Sequence, residues 1–238
     1  MSQTFKTYFN WSSGKDAAFA LYRLQQESSY DISRLITTVN AHYQRVSMHG
    51  LRRTFLEQQA AAVGIPLTVI ELPEQPTMEE YNQIMNTAVE ALVNEGFTHC
   101  SFGDIFLEDL RAYREAQLQP LGIMSCFPLW KQDTSALIRE FLELGFKAIV
   151  ICINANLLDD SFLGRVIDEA FIDDLPAGVD PCGENGEFHT FCFDGPIFTH
   201  PIAFQLGEKV TRAYPLSAED EAAGKPPVRF SFIDLIPQ

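Results

Sequence analysis

The segment TFKTYFNWSSGKDAAFALYRLQQ, residues 4–26, decides the fold. Aromatic and polar side chains alternate over residues 4–10, which predicts a strand. A polar turn at residues 11–14 follows, and residues 15–26 carry apolar side chains at helical spacing. A strand that enters a helix through a glycine turn brings backbone N–H groups and the positive end of the helix dipole to one point. The end of this strand is therefore a candidate site for an anion such as a phosphate group.

Strand and helix patterns alternate through the rest of the first half. Further strands are predicted at residues 32–39, 66–72 and 97–102, and helices at residues 51–63, 78–94 and 107–119. These lengths suit parallel strands with crossover helices, so the predicted fold class is α/β with a doubly wound parallel sheet. Ligands in such a sheet bind at the carboxyl ends of the strands. Residues 12–16, 40–50 and 103–114 should therefore line one crevice.

The second half is predicted to begin near Pro120. Strands are expected at residues 123–126, 146–153, 188–193 and 229–236, and helices at residues 134–144 and 161–174, with a polar loop at residues 217–227. We therefore expect two domains, residues 1–119 and a smaller α/β domain at residues 120–238.

The composition narrows the class of partner. The 238 residues carry a formal net charge of −15, which argues against broad electrostatic binding to nucleic acid or to anionic membranes. The five cysteines are odd in number and form no CxxC pair, so neither a disulfide framework nor a four-cysteine zinc site is expected. The chain shows no signal-peptide pattern and no apolar run long enough to span a bilayer, which favours the cytoplasm.

The five residues of the turn at residues 12–16 make it suitable for phosphate binding. Ser12, Ser13, Gly14 and Lys15 offer hydroxyl, amide and ammonium donors, and Asp16 could hold a magnesium ion that bridges phosphates. The alternative is an ordinary helix start in which Ser12 or Ser13 is the N-cap. The spacing alone leaves both open, while the Walker and dinucleotide-binding motifs are absent.

Four motifs resemble a known family. SSGKDA at residues 12–17 is similar to the SGGKDS loop of the N-type ATP pyrophosphatases, and GENGEFHTFCFDGP at residues 183–196 resembles a block of the diphthine–ammonia ligase family. GDIFLEDLRAYRE at residues 103–115 and PLW at residues 128–130 resemble further blocks. The resemblance implies a HUP-like PP-loop fold, with an ATP-binding domain at residues 1–119 and a substrate domain after it.

The resemblance also implies a reaction. A substrate carboxylate attacks the α-phosphorus of ATP, pyrophosphate leaves, and ammonia displaces AMP to form an amide. The implied ATP-binding residues are Ser12, Ser13, Gly14, Lys15, Asp16, His49 and Gly103. Lys15, Asp16 and Asp104 are the implied catalytic residues, and Asp16 and Asp104 the implied ligands of Mg²⁺. An alternative for Asp104 is to cap the helix at residues 107–119.

Substrate-binding candidates lie in two of these blocks. Arg111 and Arg114 are three residues apart on one helix face, so they could bind one carboxylate or phosphate together, or simply face solvent. The second block contributes Glu184, Asn185, Glu187, His189 and Thr190. An acidic cluster suits a substrate with positive charge, and diphthine, the family's substrate, carries a trimethylammonium group. The alternatives are a solvated loop for the acidic residues and an ordinary strand position for His189.

Two positions depart from the family pattern. Ser13 replaces a glycine, which is harmless if that residue keeps a negative φ, and Ala17 replaces a serine whose hydroxyl can touch phosphate. The GENGEFHT block is similar to a bacterial branch of the family. Because bacteria do not make diphthamide, membership of that branch implies a different carboxylate.

Two other functions compete with the amide ligase. A nucleotide-binding sensor without catalysis is kept open by Ala17, and a tRNA-thiolating PP-loop enzyme is disfavoured by the missing CxxC pair and the acidic charge. The expected partners are ATP, ammonia and a small or protein-borne carboxylate, with no membrane, nucleic acid or zinc. The oligomeric state stays open, with a homodimer as one option.

Overall fold

A parallel sheet forms the first half of the molecule in the computed structural model, which describes residues 4–46, 50–214 and 227–238. Its strands are β1 (Phe5–Asn10), β2 (Tyr30–Asn40), β3 (Arg45–Val46), β4 (Leu67–Leu72), β5 (His99–Ser101) and β6 (Met124–Cys126). Parallel neighbours follow the order β4, β2, β1, β5, β6, and short β3 pairs antiparallel with the end of β2. The α/β class is confirmed.

Helices cover both faces of this sheet. They are α1 (Lys15–Gln25), α2 (Arg53–Val63), α3 (Met78–Asn94) and α4 (Glu108–Leu118), with a 3₁₀ turn at Gln119–Leu121. Successive residues of a strand point to opposite faces. Accordingly, Phe9 packs in the cluster that contains α1 and α2, whereas neighbouring Tyr8 packs with Val89 and Leu92 of α3. This arrangement is the expected doubly wound sheet.

A second, antiparallel sheet forms the other half. The elements are α5 (Thr134–Glu143), β7 (Lys147–Asn154), α6 (Glu169–Asp174), β8 (Phe188–Asp194), β9 (Phe204–Tyr214) and β10 (Val228–Pro237), and the strand order is β8, β7, β10, β9. Strand β6 belongs to the first sheet although it follows Pro120. The division into domains at residues 119 and 120 stays a prediction.

Helix α1 is buried by both halves. Its cluster of apolar side chains continues into the second sheet through Ile149 and Phe191. The Phe19 ring lies 6.1 Å from the Phe146 ring, which is next to β7. Three alanines, Ala17, Ala18 and Ala20, are at most 2% exposed, because a helix packed on several sides needs small residues to let its neighbours approach. The start of α1 is therefore held between the two sheets.

Two predictions for the second half need correction. The helix expected at residues 161–174 is wrong in its first part, since only Glu169–Asp174 is helical. Gly164 has a φ of +86°, and Val166 forms an antiparallel bridge with Ile149, so this stretch pairs with β7. Strand β9 was not predicted at all. No helix in the described parts of the chain is long and apolar enough to cross a membrane.

Candidate active site

The turn at residues 12–16, here called the phosphate loop, follows β1 as the sequence predicts. Gly14 is the N-cap residue of α1, so the alternative in which Ser12 or Ser13 is the N-cap is wrong. Ser13 is fully buried with a φ of +72°. A serine is harmless here only if φ is negative, and this condition is not met. The left-handed backbone costs about 1 kcal/mol relative to glycine. Its Oγ has no hydrogen-bond partner within the described residues.

Lys15 places a buried cation beside this loop. The residue is 2% exposed, and its Nζ lies 2.6 and 2.7 Å from the two carboxylate oxygens of Asp16. The same ammonium donates to the Cys182 carbonyl oxygen. Burial by itself would lower the pKa of Lys15, but the Asp16 carboxylate outweighs burial and the pKa rises to about 12. Lys15 therefore stays charged at neutral pH.

Strand β8 from the second half covers the phosphate loop. The Lys15 N–H donates to Thr190 Oγ1 at 3.0 Å, and the Cys192 N–H donates to the Ser13 carbonyl at 2.9 Å. A Cβ on Gly14 would lie 3.4 Å from both oxygens of Thr190, so Thr190 packs directly against the Gly14 backbone. Two motifs more than 160 positions apart in sequence thus form one structure, and binding of a substrate by Thr190 stays a prediction.

Gln59 joins the two motifs and was missed by the sequence analysis. Its Nε2 donates to the carbonyls of Ser13 at 3.0 Å and Cys192 at 2.7 Å, while its Oε1 accepts from the Trp11 indole at 2.9 Å. The side chain is fully buried. A signal was present, because Gln59 follows Phe55 by four residues and so lies on the apolar stripe of α2, where a polar side chain needs buried partners.

Gly103 brings the end of β5 against the phosphate loop. A Cβ at this position would lie 2.9 Å from the Ala17 nitrogen and the Asp16 carbonyl carbon, so only glycine permits this approach. Asp104 next to it pairs with Arg114, with 3.0 Å between Oδ2 and Nε. Leu107 is the N-cap of α4. The alternative that Asp104 caps this helix is therefore wrong.

The two arginines of α4 have separate partners. Arg114 pairs with Asp104 and lies 4.3 Å from the Phe102 ring. Arg111 pairs with Glu115 at 2.8 Å and lies 4.6 Å from the Trp130 ring. Their helical spacing is as predicted, but these contacts direct each guanidinium to its own site, and binding of one anion by both stays a prediction.

The turn at residues 183–187, here called the GENGE turn, has acidic residues that face inward. Glu184 Oε1 accepts from the Ile105 N–H at 2.7 Å, which joins the turn to the loop after β5. Burial and the nearby Asp16 carboxylate raise the pKa of Glu184 to about 7. Glu187 is 3% exposed, and its Oε1 accepts from Asn185 Nδ2 and from the Asp180 N–H, each at 3.0 Å. The solvated-loop alternative is therefore wrong for Glu184 and Glu187.

The last two candidates lie elsewhere. His189 lines a cavity of about 1040 Å³ between the end of β2 and the second sheet. His49 lies outside the described residues, as does most of the loop expected at residues 217–227.

The carboxylates suit a magnesium ion that is held mainly by a ligand's phosphates. No group of three or more His, Cys, Asp or Glu side chains that could hold a metal is present in the described ranges. Mg²⁺ commonly takes only one or two protein carboxylates, together with phosphate oxygens and water. Asp104 Oδ2 is buried and, among the described residues, has no hydrogen bond beyond its ion pair with Arg114. The pair of Asp16 and Asp104 therefore fits this role.

Comparisons with known proteins agree on a family. The family model of the diphthamide synthase N-terminal domain matches residues 5–125, and that of the diphthamide synthase C-terminal domain matches residues 133–214. Diphthine–ammonia ligase from Mus musculus is 30% identical over 183 residues, which cover 71% of this chain and 67% of the mouse protein. Its counterpart from Danio rerio is 37% identical over 99 residues, or 40% of this chain and 37% of the fish protein.

A solved structure is more distantly similar. The U34-tRNA thiolase NcsA from Methanococcus maripaludis has a TM-score of 0.38 and 14% sequence identity, over 60% of this chain and 59% of that one. The chain spans about a third of the fish relative and two thirds of the mouse relative. The matches at residues 5–125 and 133–214 include the phosphate loop and the GENGE turn that contact each other in the structure, and the chain belongs to the diphthamide synthase family.

Proposed function

We propose that the protein is an ATP-dependent amide ligase that adenylates a carboxylate and then transfers the acyl group to ammonia. The observation that carries this proposal is the contact between the phosphate loop and β8, where the Lys15 N–H meets Thr190 Oγ1 at 3.0 Å. It unites the two motifs in which the family resemblance is most specific. Both halves of the chain are then needed for one site, as expected of an enzyme that brings a nucleotide and an acceptor together.

The first step needs charge neutralisation on the leaving group. A carboxylate oxygen attacks the α-phosphorus, the bond from that phosphorus to the bridging oxygen breaks, and pyrophosphate departs. The Gly14 amide at the start of α1 and the Lys15 ammonium are the donors for this charge, while the Lys15 amide donates to Thr190. Asp16 and Asp104 would hold Mg²⁺, which when bound neutralises phosphate charge.

The second step needs a proton acceptor. Ammonia attacks the acyl carbon, the bond from that carbon to the AMP oxygen breaks, and the nitrogen loses a proton. We assign this proton to Glu184, because its pKa of about 7 leaves a fraction ionised at neutral pH and able to accept it. Its bond to the Ile105 N–H fixes one oxygen of this carboxylate beside the loop after β5.

The remaining candidates have binding roles in the same proposal. Asn185 and Glu187 shape the GENGE turn through their mutual hydrogen bond at 3.0 Å. Arg111 and Arg114 are proposed to contact the substrate, and residues 120–238 to form the substrate domain. The proposed partners are ATP, ammonia and a small or protein-borne carboxylate, and the proposed compartment is the cytoplasm.

Product analysis tests this function. The full chain is incubated with ATP, Mg²⁺ and a panel of carboxylic acids, with hydroxylamine replacing ammonia so that an acyl-adenylate is trapped as a hydroxamate. We expect AMP, pyrophosphate and a hydroxamate. Formation of ADP and phosphate contradicts the proposal. Tight binding of ATP without turnover across the whole panel favours the nucleotide sensor instead.

A further inference from the structure

The cavity that His189 lines, here called the β9–β10 cavity, is a second feature built by both halves. One wall is the rim after β2, with Val46 and Gly50 among its residues, and the other is the outer face of β9 and β10. Its volume of about 1040 Å³ is at the upper end of the range for small-molecule sites. The space is therefore large enough for a substrate of the size of a metabolite.

The wall formed by β10 is apolar because of strand alternation. Ser231 and Leu235 are each 2% exposed and face the core. The alternate residues Phe230 and Phe232 line the cavity. Together with Tyr214 of β9 they form a row of rings, with centroids 5.7 Å apart from Tyr214 to Phe230 and 6.5 Å apart from Phe230 to Phe232. This row favours a ligand with an apolar, ring-bearing body.

Two arginines that line the cavity share one aspartate. Arg45 Nη1 lies 2.8 Å from Asp234 Oδ1, and Arg52 Nη2 lies 2.5 Å from Asp234 Oδ2. Burial raises the pKa of Asp234, but the two guanidinium groups outweigh it and lower that pKa to about 2. One carboxylate cannot neutralise two arginines, so this group has a charge of +1.

Other charged side chains line the cavity and offset this charge. Glu74 accepts a hydrogen bond of 2.6 Å from the Tyr43 hydroxyl, and Tyr43 is 53% exposed. Arg212 interacts electrostatically with the same tyrosine. Glu208 of β9 also lines the cavity. The described lining residues therefore carry three arginines and three carboxylates, and Arg45 and Arg52 with Asp234 are the group in which guanidinium groups outnumber carboxylates.

We propose that the β9–β10 cavity binds a ring-bearing carboxylic acid, with the carboxylate on Arg45 and Arg52 and the ring on the aromatic row. Guanidinium groups bind carboxylates through paired N–H donors, and both arginines are partly exposed, with side chains that are 34% and 41% accessible. His189 is next to Thr190, which touches the phosphate loop. We assign the cavity to the acid that the ligase would adenylate, and this assignment rests on the proposed ligase function.

Ligand-observed NMR with three matched probes tests the cavity. The probes are 3-phenylpropionate, 3-phenylpropionamide and 3-phenylpropylamine, added to the full chain without nucleotide. We expect the acid to bind with a Kd on the order of 1 mM and about tenfold more tightly than the amide, with the amine weakest. Tighter binding of the amine, or no binding of the acid at about 10 mM, overturns the proposal.

Three variants locate the probe. Arg52→Gln should abolish the preference for acid over amide, and Phe232→Ala should weaken acid and amide alike. Arg53→Gln is the matched control, because this neighbouring arginine pairs with Glu57 and Glu71. Arg53→Gln should leave the binding of all three probes unchanged. A loss of binding in Arg53→Gln equal to that in Arg52→Gln contradicts the assignment.

A gain of affinity gives the most specific readout. Asp234→Asn removes the carboxylate that competes for both arginines, so the acid should bind about threefold to tenfold more tightly. A merely structural role for Asp234 predicts unchanged or weaker binding. Unchanged or weaker binding in a variant that circular dichroism shows to be folded overturns the assignment. If Asp234→Asn does not fold, Arg52→Gln carries the test.

Addition of AMP separates this site from the nucleotide site. Binding of the acid should persist with AMP, and displacement by AMP overturns the proposal, since the cavity would then hold the nucleotide itself. The binding assay needs no ATP turnover. A failure of the ligase function and a failure of the cavity assignment are therefore distinguishable.

Discussion

The phosphate loop and the β9–β10 cavity both place basic side chains beside an aspartate, and they differ in how closed they are. Lys15 is 2% exposed, with bonds to Asp16, while β8 covers the loop around it. Arg45 and Arg52 share one aspartate at an open cavity. A buried cation with fixed partners is preorganised for one charge distribution, whereas partly exposed arginines can rearrange around a ligand. This difference suits a fixed nucleotide reaction beside an adaptable acceptor site.

Loss of the Lys15 ammonium from the phosphate loop should have the largest effect on activity. We expect Lys15→Met to lower the rate of AMP formation by about 10³-fold, because it removes the main charge opposite the leaving group. Steady-state assays of AMP release give the measurement. Lys147→Met is the control, since this exposed lysine pairs with Asp194 on the second sheet and should retain full activity. A rate for Lys15→Met within about threefold of the wild type would remove Lys15 from the mechanism.

The glutamine between the two halves should have the next largest effect. Gln59→Leu removes the side-chain partner of the Cys192 carbonyl and of the Trp11 indole, and one of the two donors to the Ser13 carbonyl, so we expect the free energy of unfolding to fall by about 3 kcal/mol. Urea denaturation measures this change. Gln58→Leu provides a control on the same helix, at a less buried position, and should cost under about 1 kcal/mol. Equal losses in the two variants would mean that Gln59 does not join the halves.

Much of the first sheet could be predicted from sequence, because its signals are local. Helix α3 begins and ends at the predicted residues, since Thr77 and Glu80 form a capping box. The turn after β1 was also found from its glycine and its family motif. Strand β9 was missed because most of its residues are exposed, which obscures the alternation of apolar and polar residues.

The parts of the site that sequence could not supply depend on contacts between distant residues. The left-handed φ of Ser13 is imposed by packing under β8, and no local pattern gives its sign. The pairing of Asp104 with Arg114 was missed because each residue had an equally good local explanation. Arg45 and Arg52 gave no signal of their own, since the group forms only when these two residues pair as a bridge and β10 brings Asp234 to both.

A methyl group on Gly103 should push the end of β5 slightly away from the phosphate loop. Gly103→Ala places a Cβ against the Asp16 and Ala17 backbone, so we expect a stability loss of about 2 kcal/mol and slower AMP formation. Thermal unfolding and the AMP assay measure the two effects. Gly122→Ala is a useful comparison, since a Cβ there meets no atom of the described chain within 4 Å and its φ of +74° costs only backbone strain. Gly122→Ala should leave AMP formation unchanged, and a similar loss in both variants would contradict the close approach.

The smallest effect concerns the pH dependence of stability. Glu184 has a folded-state pKa of about 7, above its ordinary value, so the folded protein holds a proton that the unfolded chain releases. Its contribution therefore destabilises the fold as pH rises from about 4.5 to 7. Glu184→Gln should remove this loss. Unfolding at pH 5 and pH 8 measures it, and an identical pH dependence in the variant would show that Glu184 does not titrate near neutrality.

A crystal structure of the protein with Mg²⁺ and α,β-methylene-ATP, which cannot be cleaved between the α and β phosphates, tests the central claim most directly. We predict that the phosphates contact the Gly14 amide and the Lys15 ammonium, and that Asp16 or Asp104 holds the metal. A nucleotide bound elsewhere, with no phosphate contact to Gly14 or Lys15, would contradict the account.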